Sequence, residues 1–384
     1  MPPIKIVHVV PSFYPAHSYG GPIQSVYALT NALARQGCEV RVLTTNANGL
    51  GAVLPVDTAR EHRLGDGISV RYCPRRVRHS VSPELLRVLP DYVRWADVVH
   101  LTAVYNFTTF PTLAMARRHR KPVVWSPRGA LQRWTGSRRP NVKAIWELVA
   151  RGLATNHLVL HVTSEQESIE SLRKFPAARA ELIPNGIEIP AAVSHEESKG
   201  PLRLLFIGRI DPKKGIENLL DACARLDFPS VLTIAGSGEE AYLRSIEARV
   251  HRLGLDEMAT MTGEVRDDAK ERVYWQADIC MVPSFTENFA LVVAEALARA
   301  VPVIASRGTP WQAVERKGCG RWVENSPESL ASAITQLRSM PLREMGRRGR
   351  EWMQQDFSWD TIGARMVAVY RELLAEKGAT AAAT

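Results

Sequence analysis

Four side chains in the second half of the chain are of the types that handle a charged, polar ligand. Arg209 and Lys214 lie in Gly208-Arg209-Ile210-Asp211-Pro212-Lys213-Lys214-Gly215, and the carboxylates of Glu287 and Glu295 lie in the stretch 283–306, PSFTENFALVVAEALARAVPVIAS. A guanidinium forks onto phosphate oxygens and an ammonium adds a point charge, so two cations on one glycine-bounded loop favour a diphosphate. A surface loop with two solvated cations has the same composition. The second stretch reads as a polar loop, a helix that breaks at Val301-Pro302, and a strand at Val303–Ala305. Glu287 is placed where that helix begins, beside the unpaired backbone N–H groups of Asn288, Phe289 and Ala290. Glu295 is two turns further on, and a helical rise of about 1.5 Å per residue separates the carboxylates by roughly 12 Å. That is the span of a sugar diphosphate plus ribose. Phe289, Leu291, Val292, Val293, Ala294, Ala296 and Leu297 surround Glu295, so the helix is expected to be buried and its carboxylate to need a partner.

Two further stretches have ligand-binding features. In Ser18-Tyr19-Gly20-Gly21-Pro22 the glycines let the backbone approach a ligand and the following helix offers free N–H groups, although a tight turn before a helix explains them equally. The turn Ala235-Gly236-Ser237-Gly238-Glu239 lacks the third glycine and the acidic residue of a dinucleotide fingerprint and reads as a plain strand-to-helix turn. No Asp-x-Asp triplet occurs to carry a divalent ion on a diphosphate. No metal or other cofactor is therefore expected, and positive side chains and helix N-termini must carry the charge.

The elements that must position these residues alternate regularly. Strands are expected at Ile4–Val10, Val40–Thr44, Ile68–Tyr72, Val98–Thr102, Val123–Ser126 and Leu158–Val162, with helices at 22–36, 84–94, 108–119, 141–154 and 164–174. A polar stretch at 190–201 reads as a linker. The alternation restarts with strands at Leu204–Ile207, Val231–Ala235, Ile279–Val282 and Val303–Ala305. This is an α/β chain of two doubly wound, Rossmann-like domains, expected at 1–190 and 200–357, facing each other across a cleft. A helix at 358–375 is expected to cross back toward the first. Ligands of such sheets bind beyond the strands' carboxyl ends, where the three loops above fall.

Composition bounds the rest. A chain of 384 residues, 45% hydrophobic and 23% charged, is an ordinary globular protein without a long apolar window. The first ten residues lead into a strand without a signal-peptide pattern, so the expected location is the cytoplasm, with peripheral attachment to the inner face of a membrane. Five cysteines at 38, 73, 223, 280 and 319 form neither a disulfide framework nor a metal motif. The basic excess is confined to the first half. Residues 1–190 hold 24 Lys and Arg against 13 Asp and Glu, and the remainder 25 against 27. The clusters at 71–78, 117–121 and 128–143, the last with Trp134 beside Arg133, Arg138 and Arg139, suit an anionic membrane surface or a diphosphate-bearing acceptor, and equally a solvated face. Zinc-finger spacing and RNA-recognition signatures are missing, so nucleic acid is not expected as a partner.

GRIDPKKG, FTENFALVVAEALARAVPVIAS, the YGGP loop and Ile183-Pro184-Asn185-Gly186-Ile187 together resemble glycosyltransferase family 4, retaining enzymes of the GT-B fold, over nearly the whole chain. The resemblance implies transfer of a sugar from a UDP- or GDP-sugar to a hydroxyl of a glycan or lipid-diphosphate-linked glycan, in cell-surface polysaccharide or lipopolysaccharide synthesis. It implies that Arg209 and Lys214 hold the donor diphosphate, approached also by Gly20 and Gly21. Glu287 and the backbone of Asn288, Phe289, Ala290 and Leu291 hold the transferred sugar, and Glu295 the ribose hydroxyls. This chain departs from the pattern at Ala290 and Ala300, where many relatives have Gly. It departs also at Thr102, where relatives carry a catalytic His. His100 shares the strand face of Thr102 and either takes over that role or is a structural histidine. A nucleotide-sugar epimerase on the same fold, or a non-catalytic glycan- or nucleotide-binding module, are the alternatives. The first is excluded by acceptor-dependent release of nucleoside diphosphate. The second has no reason to keep both the cation pair and the carboxylate pair.

Overall fold

The computed structural model describes residues 2–19, 21–49, 51–77, 80–132, 140–155, 157–195 and 200–382. The alternation becomes two large sheets, one in each of two compact units, residues 1–186 with 359–384, and residues 187–358, and the first unit also holds a two-stranded antiparallel pair, Ala47–Asn48 with Ala52–Val53.

The first unit holds eight strands in the spatial order Arg179–Leu182, Leu158–Val162, Val123–Ser126, Val98–Thr102, Lys5–Ser12, Glu39–Thr45, Ile68–Cys73 and Glu61–Gly65. All neighbours are parallel except the last pair, which is antiparallel. Ile6, Val40, Val42 and Val70 point to one face, against helices Gly21–Arg35 and Trp359–Ala382. Val7, Val9, Leu43 and Val99 point to the other, against helix Pro83–Trp95 and its neighbours. With both faces covered, strands such as Val98–Thr102 are buried at every position, and so they read as mainly apolar runs, His100 and Thr102 apart.

The second unit holds six parallel strands in the order Ala259–Gly263, Ser230–Ala235, Leu202–Ile207, Ile279–Val282, Val303–Ser306 and Gly320–Val323. Its strand order reverses between Leu202–Ile207 and Ile279–Val282, and that of the first unit between Lys5–Ser12 and Val98–Thr102. Loops leaving the carboxyl ends of two such strands diverge and leave a crevice between them.

The chain passes between the units at Gly186-Ile187 and Ser358-Trp359, not within the polar stretch 190–201. Gly186 lies against the Trp359 ring so closely that a Cβ would overlap it. One residue on, the Ile187 N–H donates to Phe357 O at 2.7 Å. Pro190, the first residue of the stretch read as a linker, is held in the second unit, where the Arg350 guanidinium donates to its carbonyl. The final helix packs on Gly21–Arg35, with Gly363 against Ala32 and Arg35 paired to Asp360 at 2.8 Å.

Candidate active site

Two loops straddle the strand-order reversal of the second unit: Gly208–Gly215 follows Leu202–Ile207, and Pro283–Ala290 follows Ile279–Val282. Backbone contacts lock them together. Asp211 caps a short 3-10 turn, Pro212–Lys214, by accepting from the Lys213 N–H at 3.0 Å. Gly215 then turns left-handed at φ 66°, and a Cβ there would strike the Pro283 carbonyl. The Phe285 N–H donates to Lys213 O at 2.8 Å, and Asn325 Nδ2 donates to Pro283 O at 2.6 Å. From the other side Gly308 presses on the carbonyls of Ser284 and Phe285, and its own carbonyl accepts from the Glu287 N–H at 2.8 Å. The turn at Gly236-Ser237-Gly238 packs equally tightly, since a Cβ on Gly236 would strike Gly208 O and one on Gly238 would strike Ile210 O. These glycines permit close approach of one loop to another.

This scaffold brings Lys214 and Glu287 together. The Lys214 ammonium pairs with the Glu287 carboxylate, which also accepts from Ser284 Oγ at 3.0 Å. Their side chains are 26% and 18% exposed. Arg209 is exposed on the same loop and forms no ion pair with a described residue. A dianionic ligand arriving here meets one cation in water and a second that must exchange a carboxylate for the ligand.

The sequence reading places Glu287 at the start of a helix, but the helix runs only from Leu291 to Ala298. Ala290 caps it in the left-handed region, φ 58° and ψ 67°. Residues 287–290 are therefore loop, and the helical spacing between the two glutamates does not apply. Ala300, at the far end of the same helix, is also left-handed, φ 55°. The two departures from the family's glycines thus fall at backbone positions where a Cβ costs about 1–2 kcal/mol.

Glu295 has the partners its apolar surroundings require, from a helix that sequence reasoning did not connect to it. Helix Asp267–Trp275 supplies Lys270, whose Nζ lies 2.6 Å from Glu295 Oε1, and Tyr274, whose hydroxyl donates to Oε2 at 3.1 Å. Burial, and then the facing carboxylate, push the Tyr274 phenol well above its ordinary pKa, so it stays a donor. No local sequence signal links 270 and 274 to 295. Phe289 is buried against Trp311, whose indole N–H donates to Phe289 O, fixing the backbone that enters the helix. Asn288 is half-buried in this loop, and Leu291 opens the helix.

In the first unit the catalytic reading of His100 is set aside. The ring is fully buried and stacked on His8 at 4.4 Å. A chain of hydrogen bonds fixes its tautomer: His161 Nε2 donates to Ile183 O, so His161 Nδ1 accepts from Ser126 Oγ, which in turn accepts from His100 Nε2. That leaves His100 Nδ1 to accept from the Tyr370 hydroxyl at 2.5 Å. Both nitrogens are occupied by structural partners. Burial holds His8 and His161 down to about 3 and His100 well below its ordinary range, so all three are neutral. Thr102 is also buried, with its hydroxyl 2.8 Å from His8 Nε2.

Arg128, at the carboxyl end of strand Val123–Ser126, is the functional candidate that sequence reasoning left inside a general basic cluster. It is left-handed at φ 54°, donates to Asn185 Oδ1, and has an Nε without a partner among the described residues. Burial pulls its pKa down to about 10, which leaves the guanidinium charged. The neighbouring carboxylate of Glu167 is taken up by the N–H groups of Gly129 and Thr163. Helix Gly21–Arg35 begins at Gly21, whereas Gly20, Arg133, Trp134, Arg138 and Arg139 lie outside the described residues.

Two mainly parallel sheets, each with a reversal of strand order, define a doubly wound α/β class. Residues 19–189 match the family described as Glycosyltransferase Family 4, and residues 191–352 the family described as Glycosyl transferases group 1. An uncharacterised glycosyltransferase of Methanocaldococcus jannaschii is 27% identical over 93% of this chain and 96% of its own length. Sucrose-phosphate synthase from Thermosynechococcus elongatus has the same fold, with a TM-score of 0.73 at 23% identity over 97% of this chain and 100% of the other. Anabaena HepE in complex with UDP gives 0.72 at 17% identity over 96% and 100%. The chain belongs to the family 4 glycosyltransferases, and its fold is GT-B.

Proposed function

We propose that the protein transfers a sugar from a nucleoside-diphosphate sugar to a hydroxyl of a glycan or lipid-linked glycan, with retention at the anomeric carbon and without a metal ion. The observation that carries this reading is the Lys214–Glu287 pair, at the strand-order reversal and beside the exposed Arg209. In the reaction the bond from the anomeric carbon to the β-phosphate oxygen breaks, and its electron pair leaves with the phosphate. The acceptor oxygen bonds to the same face of that carbon, and its proton passes to a leaving phosphate oxygen. Arg209 and Lys214 stabilise the charge that develops there, in the way that preorganised donors lower such barriers. Glu287, freed from Lys214, takes sugar hydroxyls, and Glu295 with Lys270 and Tyr274 takes the ribose. The complex of HepE with UDP favours testing a uridine donor first.

The Arg128 guanidinium, whose buried Nε has no hydrogen-bond partner among the described residues, favours an acceptor that carries a phosphate, as a lipid diphosphate does. The reading is tested by thermal-shift screening against UDP, GDP and ADP and their sugars, since a ligand of the native state raises its melting point. Nucleoside-diphosphate release with and without acceptor follows, and NMR of the product assigns the anomer. Release that needs an acceptor, with a retained anomer, supports the proposal. Binding without turnover makes the protein a nucleotide-binding module, and interconversion of the donor sugar without acceptor makes it an epimerase.

A further inference from the structure

Four large apolar side chains left in water are neighbours on one helix of the first unit. On Pro140–Leu153, Val142, Ile145, Leu148 and Val149 are 58%, 64%, 63% and 43% exposed. Their spacing places them on one side of the helix. Asn141, Ala144 and Gly152, also exposed and uncharged, lie within or beside that stripe. The opposite side is firmly seated. The Trp146 ring stacks on Phe110 at 4.0 Å and its indole N–H donates to Val104 O at 3.0 Å. Glu147 is buried against Tyr105 and pairs with Lys174 at 2.6 Å, and Ala150 is fully buried. The helix already has its core face, so the outward stripe is surplus to folding.

The sequence leading into the stripe is basic. Residues 117–143 carry nine Lys and Arg and neither Asp nor Glu. Arg117 donates to Gly152 O at the helix's carboxyl end, its sequence neighbours Arg118 and Arg120 are exposed, and Arg151 is exposed on the helix itself. The basic segment 71–78 is also partly engaged, with Arg71 paired to Glu84 at 3.3 Å and Arg75 donating to Gly49 O at 2.7 Å, and no comparable apolar stripe of helix lies among its described residues.

We propose that the Val142, Ile145, Leu148 and Val149 face docks on an anionic lipid bilayer, lying in the interface with its apolar side chains among the acyl chains and its flanking cations at the headgroups. Among the described residues no helix is long and apolar enough to cross a membrane, so the attachment is peripheral. A second copy of this chain is the poorer occupant, because a two-fold contact through this face brings two basic surfaces together. The proposal deepens the lipid-linked acceptor of the proposed function and rests on it only for its biological purpose.

The test is sedimentation of the full chain with vesicles of phosphatidylglycerol and phosphatidylcholine, and of phosphatidylcholine alone, at low and high salt. An Ile145→Ser/Leu148→Ser variant is run in parallel. The mixed vesicles should bind the protein, high salt should weaken binding, and the double substitution should lower the partition coefficient by about tenfold or more. No binding to the anionic vesicles, or equal binding by the variant, overturns the proposal. So does a dimer in sedimentation velocity that the substitutions disperse. Nucleotide-induced thermal shift, measured on both proteins, should be equal. Its absence in both would sink the transfer reading and leave this one standing.

Discussion

Replacing Lys214 by Ala removes the cation that pairs with Glu287. The side chain is three-quarters shielded from water, so it offers an incoming phosphate a charge-assisted contact in a partly desolvated setting. Losing such a contact costs about 1.5–3 kcal/mol, which weakens nucleoside-diphosphate affinity by about 10- to 150-fold. The structure adds a test of sign. Because Lys214 is held by Glu287 before ligand arrives, Glu287→Gln frees it and should tighten the free nucleoside diphosphate, while transfer from the nucleotide sugar falls sharply. Titration calorimetry with UDP and GDP measures both variants, with thermal unfolding as a control for folding. The proposed site is wrong if Lys214→Ala leaves affinity unchanged, and the exchange of partners is wrong if Glu287→Gln weakens the free nucleotide.

Glu295→Ala should behave oppositely to Glu287→Ala, damaging nucleotide affinity more than turnover of bound donor. Equal losses of nucleotide affinity in both would refute that division. Activity should survive EDTA, and a complete loss restored by a divalent ion would show that a metal carries the diphosphate charge. Below pH 6.5 the unfolded chain takes up protons that buried His8, His100 and His161 refuse. Stability is therefore full above pH 6.5 and lost as pH falls toward 3, by about 1.4 kcal/mol per pH unit for each histidine once well below 6.5. Denaturant midpoints that match at pH 7 and pH 5 would contradict this. Gly346→Ala places a Cβ against the Ala300 carbonyl, where helix Leu342–Asp356 crosses the end of helix Leu291–Ala298. It should lower stability by about 1–3 kcal/mol and weaken nucleotide binding, read by melting temperature and calorimetry.

The sequence by itself determined the α/β class, because strands buried on both faces must be largely apolar, as Ile279–Val282 is throughout and Val98–Thr102 is apart from His100 and Thr102. The four strands of the two large sheets that it did not reveal, Arg179–Leu182, Glu61–Gly65, Ala259–Gly263 and Gly320–Val323, are their outer strands. An outer strand has one flank in water and needs no apolar run, so little in its composition separates it from loop. The sequence also marks Arg209, Lys214, Glu287 and Glu295 as candidates, since charged residues at or soon after the carboxyl ends of strands are legible one by one.

Which of these charges meet, only the tertiary structure decided. Lys214 finds Glu287 across 73 residues, and Glu295 finds Lys270 and Tyr274 on a helix whose own sequence has no reason to name it. Pairing across the strand-order reversal depends on how close the backbones approach, which Gly215, Gly236 and Gly308 permit and no local pattern encodes. His100 shows the same limit from the other side. Its strand position marks it as a candidate, but Tyr370, Ser126 and the stacked His8 make it structural. Those partners come from a helix and two strands far apart in sequence, and their convergence is a property of the packed sheet.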